Sequence, residues 1–313
     1  MIRYIVSVID SNFVIPLCVT IGSVCLNNPK TSITYFVVSD GLSIQEKELV
    51  QSMEETFQNL SIRVVDFKIE NTHLKQILST TLKNQNRLPI CSYNRLFLAE
   101  ILPIEIHNVL YLDADVLCLQ PLDDLFDHNV EEFAMAAVKD ISSETNKARL
   151  KLEEYFNSGV LLINLDFWRL HNLTTVFCKF IETNYSLLML HDQDVLNICL
   201  AGKILPIATS YNYQIPGEDY RSKEAASHAH LVHFITHHKP WVKGNSCPLK
   251  QKWIEYYELF FKRAWSPIQS FPFIYRAILN IRRVSLFLFP MNSKRRRVLK
   301  SLIPKFFLKK FHF

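Results

Sequence analysis

The chain has 313 residues, 49% of them hydrophobic and 21% charged, the balance of a folded protein with a large core rather than of a disordered or fibrous one. Its six glycines, at 22, 41, 159, 202, 217 and 244, stand too far apart for a G-x-G-x-x-G turn or a Walker loop, which excludes Rossmann dehydrogenases, P-loop ATPases and kinases. The formal charge of +5 conceals an asymmetry: thirteen of the 35 Lys and Arg, and none of the 30 Asp and Glu, lie between Lys262 and Phe313, so an acidic body precedes a basic tail.

Arg3 to Ile9 reads as a first buried strand, ending at Asp10-Ser11-Asn12. Pro16 to Leu26 is helical, with its proline in the first turn. A second strand is expected over Ser32 to Ser39. A capping-box pattern, Ser43 to Glu46, then opens a helix through about Gln58, and Ile62 to Phe67 is a third strand. This β-α-β-α-β order predicts an α/β fold with a mostly parallel sheet. Further helices are expected over Ser92 to Ile101, Asp166 to Asn184 and Asp192 to Ala201. Further strands are expected over Asn108 to Leu119, Phe133 to Val138, Gly159 to Asn164, Lys203 to Ala208 and Ala229 to Phe234.

Seven scattered cysteines without C-x-x-C spacing are expected as reduced thiols in a cytosolic setting. Asp10 and Asn12 fall where a signal peptide needs its apolar stretch, and no run of about 18 apolar residues is present to span a bilayer. An intracellular protein is expected.

Asp113 and Asp115 stand in the run YLDADVL. If the strand continues through them, positions i and i+2 face one side roughly 6 to 7 Å apart. Two buried carboxylates so placed require a cation between them. If the strand stops at Asp113, both are solvated turn residues; the return of apolar residues at Val116 favours the first reading. Hard oxygen ligands suit Mg²⁺ or Mn²⁺, and a nearby imidazole favours Mn²⁺. His233, after an apolar strand, is placed to complete such a site, and Lys239 is a cation placed for a phosphate. His237 and His238 read locally as solvated loop residues, Asn157 as a turn residue, and Asp192 and Asp194 as first-turn acids of a helix.

Taken in order, Asp10-x-Asn12, Tyr93-x-Arg95-Leu96, YLDADVL, YFNSGVLLIN, HDQDVLN and HF-x4-KPW resemble glycosyltransferase family 8 over about residues 2 to 241. These are retaining transferases that include bacterial lipooligosaccharide α-galactosyltransferases and, more distantly, glycogenin. The resemblance implies a single GT-A type domain over 1–261 and a UDP-sugar donor. Asp10 and Asn12 would bind the uridine, with Phe13 stacking where the family often has tyrosine. Asp113, Asp115 and His233 would hold Mn²⁺, and Lys239 would contact the phosphates. Arg95 and Asp192 would grip the donor sugar, Asn157 would line the sugar and acceptor site, and Gln193 would lie by the anomeric carbon. Thr236 departs from the pattern, standing where many members have glycine, a residue that takes φ > 0 freely. An amide is a poor covalent nucleophile, so attack by the acceptor hydroxyl on the same face is expected.

Residues 262–313 carry ten aromatic residues among their cations, with an amphipathic helix expected over 274–288. That density suits the surface of an anionic membrane, implying a peripheral enzyme with a lipid-linked or surface glycan acceptor, lipopolysaccharide or lipooligosaccharide first. A capsule or protein glycan is the alternative acceptor. A non-catalytic RNA- or membrane-binding protein on a degenerate scaffold is the rival from another class, although the acidic body argues against nucleic acid. A glycosidase using Asp113 and Asp115 would need neither metal nor UDP.

Overall fold

A computed structural model describes residues 2–70, 74, 76, 91–216, 226, 228–236, 239–243, 245 and 247–266, with the backbone alone at 90, 269 and 270. β1 (Ile2–Ile9), β2 (Ser32–Ser39) and β3 (Leu60–Asp66) lie side by side in parallel, Ile2 opposite Ser32 and Ile33 opposite Leu60. Parallel neighbours need helical crossovers, supplied here by α1 (Val14–Asn27) and α2 (Ile44–Gln51). α1 is apolar almost all round, and eleven of its fourteen residues are buried. The capping box forms as the sequence predicts: Glu46 N–H donates to Ser43 Oγ, and Ser43 N–H to Glu46 Oε2. The helix breaks after Gln51, where the Ser52 hydroxyl donates to the Leu49 carbonyl, and resumes over Met53–Thr56.

The sheet grows on the other side of β1. β4 (Asn108–Leu112) pairs parallel with β1, β7 (Phe156–Asn164) antiparallel with β4, β6 (Met135–Lys139) antiparallel with β7, and β8 (Ile204–Pro206) parallel with β6. The order is β3-β2-β1-β4-β7-β6-β8, and only β7 runs against the others. One face carries a core in which Tyr93, Trp168, Phe177 and Leu196 are fully buried. Trp168 meets Phe177 edge to face at 5.2 Å and donates its indole N–H to the Ala134 carbonyl.

Several elements depart from their expected bounds. The strand expected over Asn108 to Leu119 is two, β4 and β5 (Val116–Cys118), separated by a turn that Val116 N–H closes onto the Asp113 carbonyl. β5 leaves the large sheet for a three-stranded one with β10 (Leu231–His233) and β9 (Tyr213–Gln214). Side chains of α1 anchor this branch: Thr20 Oγ1 lies 2.7 Å from the Val116 carbonyl and 3.0 Å from that of Ala114, and Cys118 N–H donates to Ser23 Oγ. Residues 90–97 wind as 3₁₀ turns, leaving only Leu98–Ile101 α-helical. The helix expected over Asp166 to Asn184 divides into Leu165–Leu170 and α3 (Leu173–Asn184), because Asn172 turns left-handed at φ +48°, which asparagine tolerates. α4 spans Asp192–Cys199, close to its expected bounds.

An unanticipated helix, α5 (Lys250–Phe261), buries Trp253, Tyr256, Tyr257 and Phe260 and stops where Lys262 turns left-handed. Gly22 of α1 permits its approach: a Cβ there would fall 2.3 Å from the Phe260 ring.

The chain forms two compact units, Met1–Pro240 with Ser246–Trp265, and Trp241–Asn245 with Ser266–Phe313. Within the second, Val242–Lys243 pairs in parallel with Gln269–Ser270. The expected tail helix over 274–288, the tail from 271 onward, and His237 and His238 lie outside the described residues. No helix among the described residues is long and apolar enough to cross a membrane. All seven cysteines are unpaired thiols, five of them buried.

Candidate active site

After β1 the chain adds β2 and β3 on one side, then returns to place β4 on the other. Such a switch point opens a crevice beyond the carboxyl ends of the strands. Asp10 ends β1 there and caps a 3₁₀ turn by accepting from Asn12 N–H at 2.8 Å; Asn12 is exposed and Phe13 half-buried beside it. Asp113 follows β4 at the same edge, Asp140 follows β6, and Asn157 lies near the start of the reversed β7. Burial pushes the Cys91 thiol up to about 12, helped by Asp10, Asp40 and Asp192 and opposed by Arg95, so these charges surround one buried residue.

The break after β4 brings the two carboxylates of YLDADVL to a point that a straight strand would not give. Asp113, Asp115 and His233 each offer a ligand atom, all within 4.8 Å of one another. His233 Nε2 is 3.1 Å from Asp115 Oδ1 and 3.7 Å from Asp113 Oδ2. Both lie in the turn rather than on a continuing strand, but Asp115 is only 9% exposed and Asp113 is half-buried, so neither is a freely solvated turn residue. Asp115 Oδ1 is buried without a hydrogen bond, the kind of orphaned oxygen that a cation satisfies. Oxygen, oxygen and imidazole suit a hard or borderline divalent ion. Lys239 donates to the other Asp115 oxygen and to the Phe234 carbonyl. Burial opposes ionisation of Asp115, but Lys239 and His233 outweigh it and hold the carboxyl well below its usual range.

Space for the cluster comes from Gly159, where a Cβ would lie 2.1 Å from His233 Cε1 and 2.9 Å from Asp113 Oδ2. Its carbonyl also accepts from Asp113 N–H.

Arg95, buried in the 3₁₀ segment, donates to Asp113 Oδ1 at 2.9 Å and to the Ser158 carbonyl, and its Nε lies 3.0 Å from Asp192 Oδ2. Its guanidinium also lies over the Tyr111 ring at 4.5 Å. Burial disfavours the Arg95 charge, but Asp113 and Asp192 together raise its pKa. One guanidinium shared between two carboxylates neutralises neither fully, and burial lifts Asp192 to about 6 despite Arg95.

Beside Asp192, at the start of α4, Gln193 is held at both ends of its amide. Oε1 accepts from Ser158 N–H at 3.0 Å and lies 3.2 Å from Ser158 Oγ, while Nε2 donates to Asp140 Oδ2 at 3.2 Å. Asn157 Nδ2 donates to the same Asp140 oxygen. Asp194, by contrast, serves the scaffold: fully buried, it accepts from Arg149, Tyr155 and two backbone N–H groups. Asp140, Gly159 and Asn212 are site residues that sequence reasoning missed. Only Asp140 had a local signal, as the acid ending an apolar run. Thr236 keeps φ at +67°, so the loop retains a left-handed turn at a β-branched residue, with Oγ1 donating to the Pro216 carbonyl.

Likenesses to known proteins bear on this arrangement. The chain is 26% identical over 266 residues to a lipopolysaccharide 1,2-glucosyltransferase of Escherichia coli K12, covering 80% of this chain and 75% of that one. It is 27% identical over 265 residues to a lipopolysaccharide 1,3-galactosyltransferase of Salmonella typhimurium, covering 79% and 75%. With the glycosyltransferase GlyF of Streptococcus pneumoniae it shares 25% over 271 residues, 85% of this chain but 63% of that protein, under two thirds of that relative's length. The structure of the galactosyltransferase LgtC in complex with donor and acceptor sugar analogues superposes with a TM-score of 0.67 at 24% identity, over 88% of this chain and 99% of that one, and so shares its fold. The model of glycosyl transferase family 8 matches residues 4–244. Because that match runs through nearly the whole sheet and takes in every residue of the site, the chain belongs to glycosyl transferase family 8.

Proposed function

We propose that the protein is a retaining hexosyltransferase, moving galactose or glucose from a UDP-sugar to a glycan acceptor of the lipopolysaccharide or lipooligosaccharide kind. Asp113, Asp115 and His233 would hold a divalent cation, Mn²⁺ before Mg²⁺ because one ligand is an imidazole. The convergence of three ligand atoms within 4.8 Å at the switch-point edge carries this reading. The acceptor class rests on the lipopolysaccharide transferases among the relatives.

Cleavage of the sugar–phosphate bond leaves negative charge on the diphosphate, which the cation neutralises when bound. Lys239 is a second positive charge in the same site, set for a phosphate. Asp10 and Asn12 bind the uridine, with Phe13 against the uracil. Arg95 and Asp192 hold the sugar hydroxyls, and Asn157 lines the sugar and acceptor site. Gln193 acts by position: its oxygen is held by Ser158, and a neutral amide is a poor covalent nucleophile. The acceptor hydroxyl therefore attacks on the face that the diphosphate leaves, and its proton passes to the departing phosphate oxygen. Residues 1–261 form the catalytic part. The basic, aromatic tail of 262–313 holds the enzyme peripherally on an anionic membrane face in the cytoplasm.

The test is release of UDP from a panel of UDP-sugars by the purified protein, with Mn²⁺ and then with EDTA. Slow, metal-dependent release from one hexose donor is expected. No release and no UDP binding with any donor overturns the reading, and metal-independent release overturns the role of the cation.

A further inference from the structure

One hydrogen-bonded chain runs from the imidazole of the proposed cation site to the amide of Gln193. His233 Nδ1 lies 3.1 Å from Asn212 Oδ1; Asn212 Nδ2 lies 2.9 Å from Asn157 Oδ1; Asn157 Nδ2 and Gln193 Nε2 both reach Asp140 Oδ2. An amide's two ends are told apart only by their partners, and here two groups at the ends of the chain leave no freedom. Asp140 accepts only, when ionised, so the end of Asn157 facing it is the NH₂. Asn157 Oδ1 in turn accepts the backbone N–H of Gly159 at 3.0 Å, which can only donate. The end of Asn212 facing Asn157 must then be its NH₂, and the end facing His233 its carbonyl oxygen. A carbonyl oxygen 3.1 Å from Nδ1 requires a proton on Nδ1. The Nε2 lone pair is thereby turned toward Asp115 Oδ1, itself an acceptor, and two facing lone pairs 3.1 Å apart repel unless a cation or a second proton lies between them.

We infer that Asn212 is a positioning residue that sets the tautomer of His233 for cation binding and, through its NH₂, ties that ring to the Asn157–Asp140–Gln193 side of the site. Asn212 is 1% exposed and follows a 3₁₀ turn at Thr209–Tyr211, so its side chain is held rather than solvated. Outer partners of this kind orient ligating imidazoles, and their loss weakens metal affinity about 10- to 100-fold. The two functions are separable. Asn212→Asp keeps an acceptor for Nδ1–H but replaces the donor to Asn157 with an oxygen. Asn212→Ala removes both.

The inference rests on the cation site proposed above, and the experiment separates failure of one from failure of the other. Mn²⁺ binding by the full-length chain, without donor, is followed by electron paramagnetic resonance of the free ion in wild type, Asn212→Ala and Asn212→Asp. The ¹⁵N resonances of the His233 ring are read in metal-free wild type, with the pH raised until the ring carries a single proton. Expected are a proton on Nδ1 and a bare Nε2, about 10- to 100-fold weaker Mn²⁺ binding in the alanine variant, and near wild-type binding with reduced sugar transfer in the aspartate variant. A proton on Nε2 with Nδ1 bare overturns the inference, as does undiminished Mn²⁺ binding by Asn212→Ala, or equal loss in both variants, which would mark mere packing. If wild type binds no Mn²⁺, the cation reading falls, while the ring resonances still decide for or against Asn212 as the group that sets the tautomer, even if neither variant folds.

Discussion

Asp115 and Gln193 sit in one crevice but carry different burdens, and single substitutions separate them. Asp115→Ala removes a proposed cation ligand and the Asp115 carboxylate that Lys239 faces, so transfer should fall by about 100-fold or more. Gln193→Ala should leave substantial activity if the amide only positions; a loss as deep as that of Asp115→Ala would make Gln193 a participant in the chemistry. Gly159→Ala tests the space itself. Its methyl would drive into the His233 ring, 2.1 Å from Cε1, and Mn²⁺ titration should detect lost affinity in a protein that still melts cooperatively. Asp192 gives the site a pH signature. Its folded pKa of about 6 lies above the ordinary 3.8, so between those values the native state binds a proton that the unfolded chain has lost. That contribution is fully present below about pH 4 and is lost as the pH rises through 6. In EDTA-treated protein, Asp192→Asn should abolish this part of the decline, measured by denaturant melts across the range.

At the scale of elements, the apolar strand-forming runs located the first three strands closely and the capping box located the start of α2, because each is a local preference that the tertiary fold leaves intact. The misses have two causes. Where β4 turns at Asp113 and where residues 90–97 wind tightly around Arg95, side-chain partners distant in sequence override the local pattern. At Asn172, which goes left-handed, and at Ser52, a single polar residue breaks a helix locally. α5 was legible in principle, since Trp253, Tyr256, Tyr257 and Phe260 fall at helical spacing, but the charge step at Lys262 drew the boundary first. Its seat on α1 is testable by a double-mutant cycle. Gly22→Ala should cost about 1 to 3 kcal/mol by forcing the enclosed Phe260 ring aside. In a Phe260→Ala background the same change should cost far less; additive melting shifts would disprove the contact.

For the whole molecule, the separation of charge between an acidic body and a +13 tail is a property of composition, and the membrane association proposed from it is one that salt should weaken. Full-length protein should sediment with anionic vesicles and be released by raised salt, and replacing Lys294, Arg295, Arg296 and Arg297 with glutamine should weaken that association. Retention on neutral vesicles alone, or on RNA in preference to anionic vesicles, would remove the proposed membrane role.

Order along the chain was enough to identify the parallel sheet and the family, and to single out Asp113, Asp115 and His233 as candidate cation ligands, because strand-forming runs and chemically distinctive residue types are written locally. Convergence was not. Asp115 and His233 meet because β5 pairs antiparallel with β10, across more than a hundred residues, and Gly159 contributes a missing side chain that no local pattern announces. Asn212 is an ordinary polar residue in the sequence, and Asp140 stands out only as the acid after an apolar run. They become part of the site only when the fold closes a hydrogen-bond chain through them, since buried amides and carboxylates must find partners and only tertiary packing determines which.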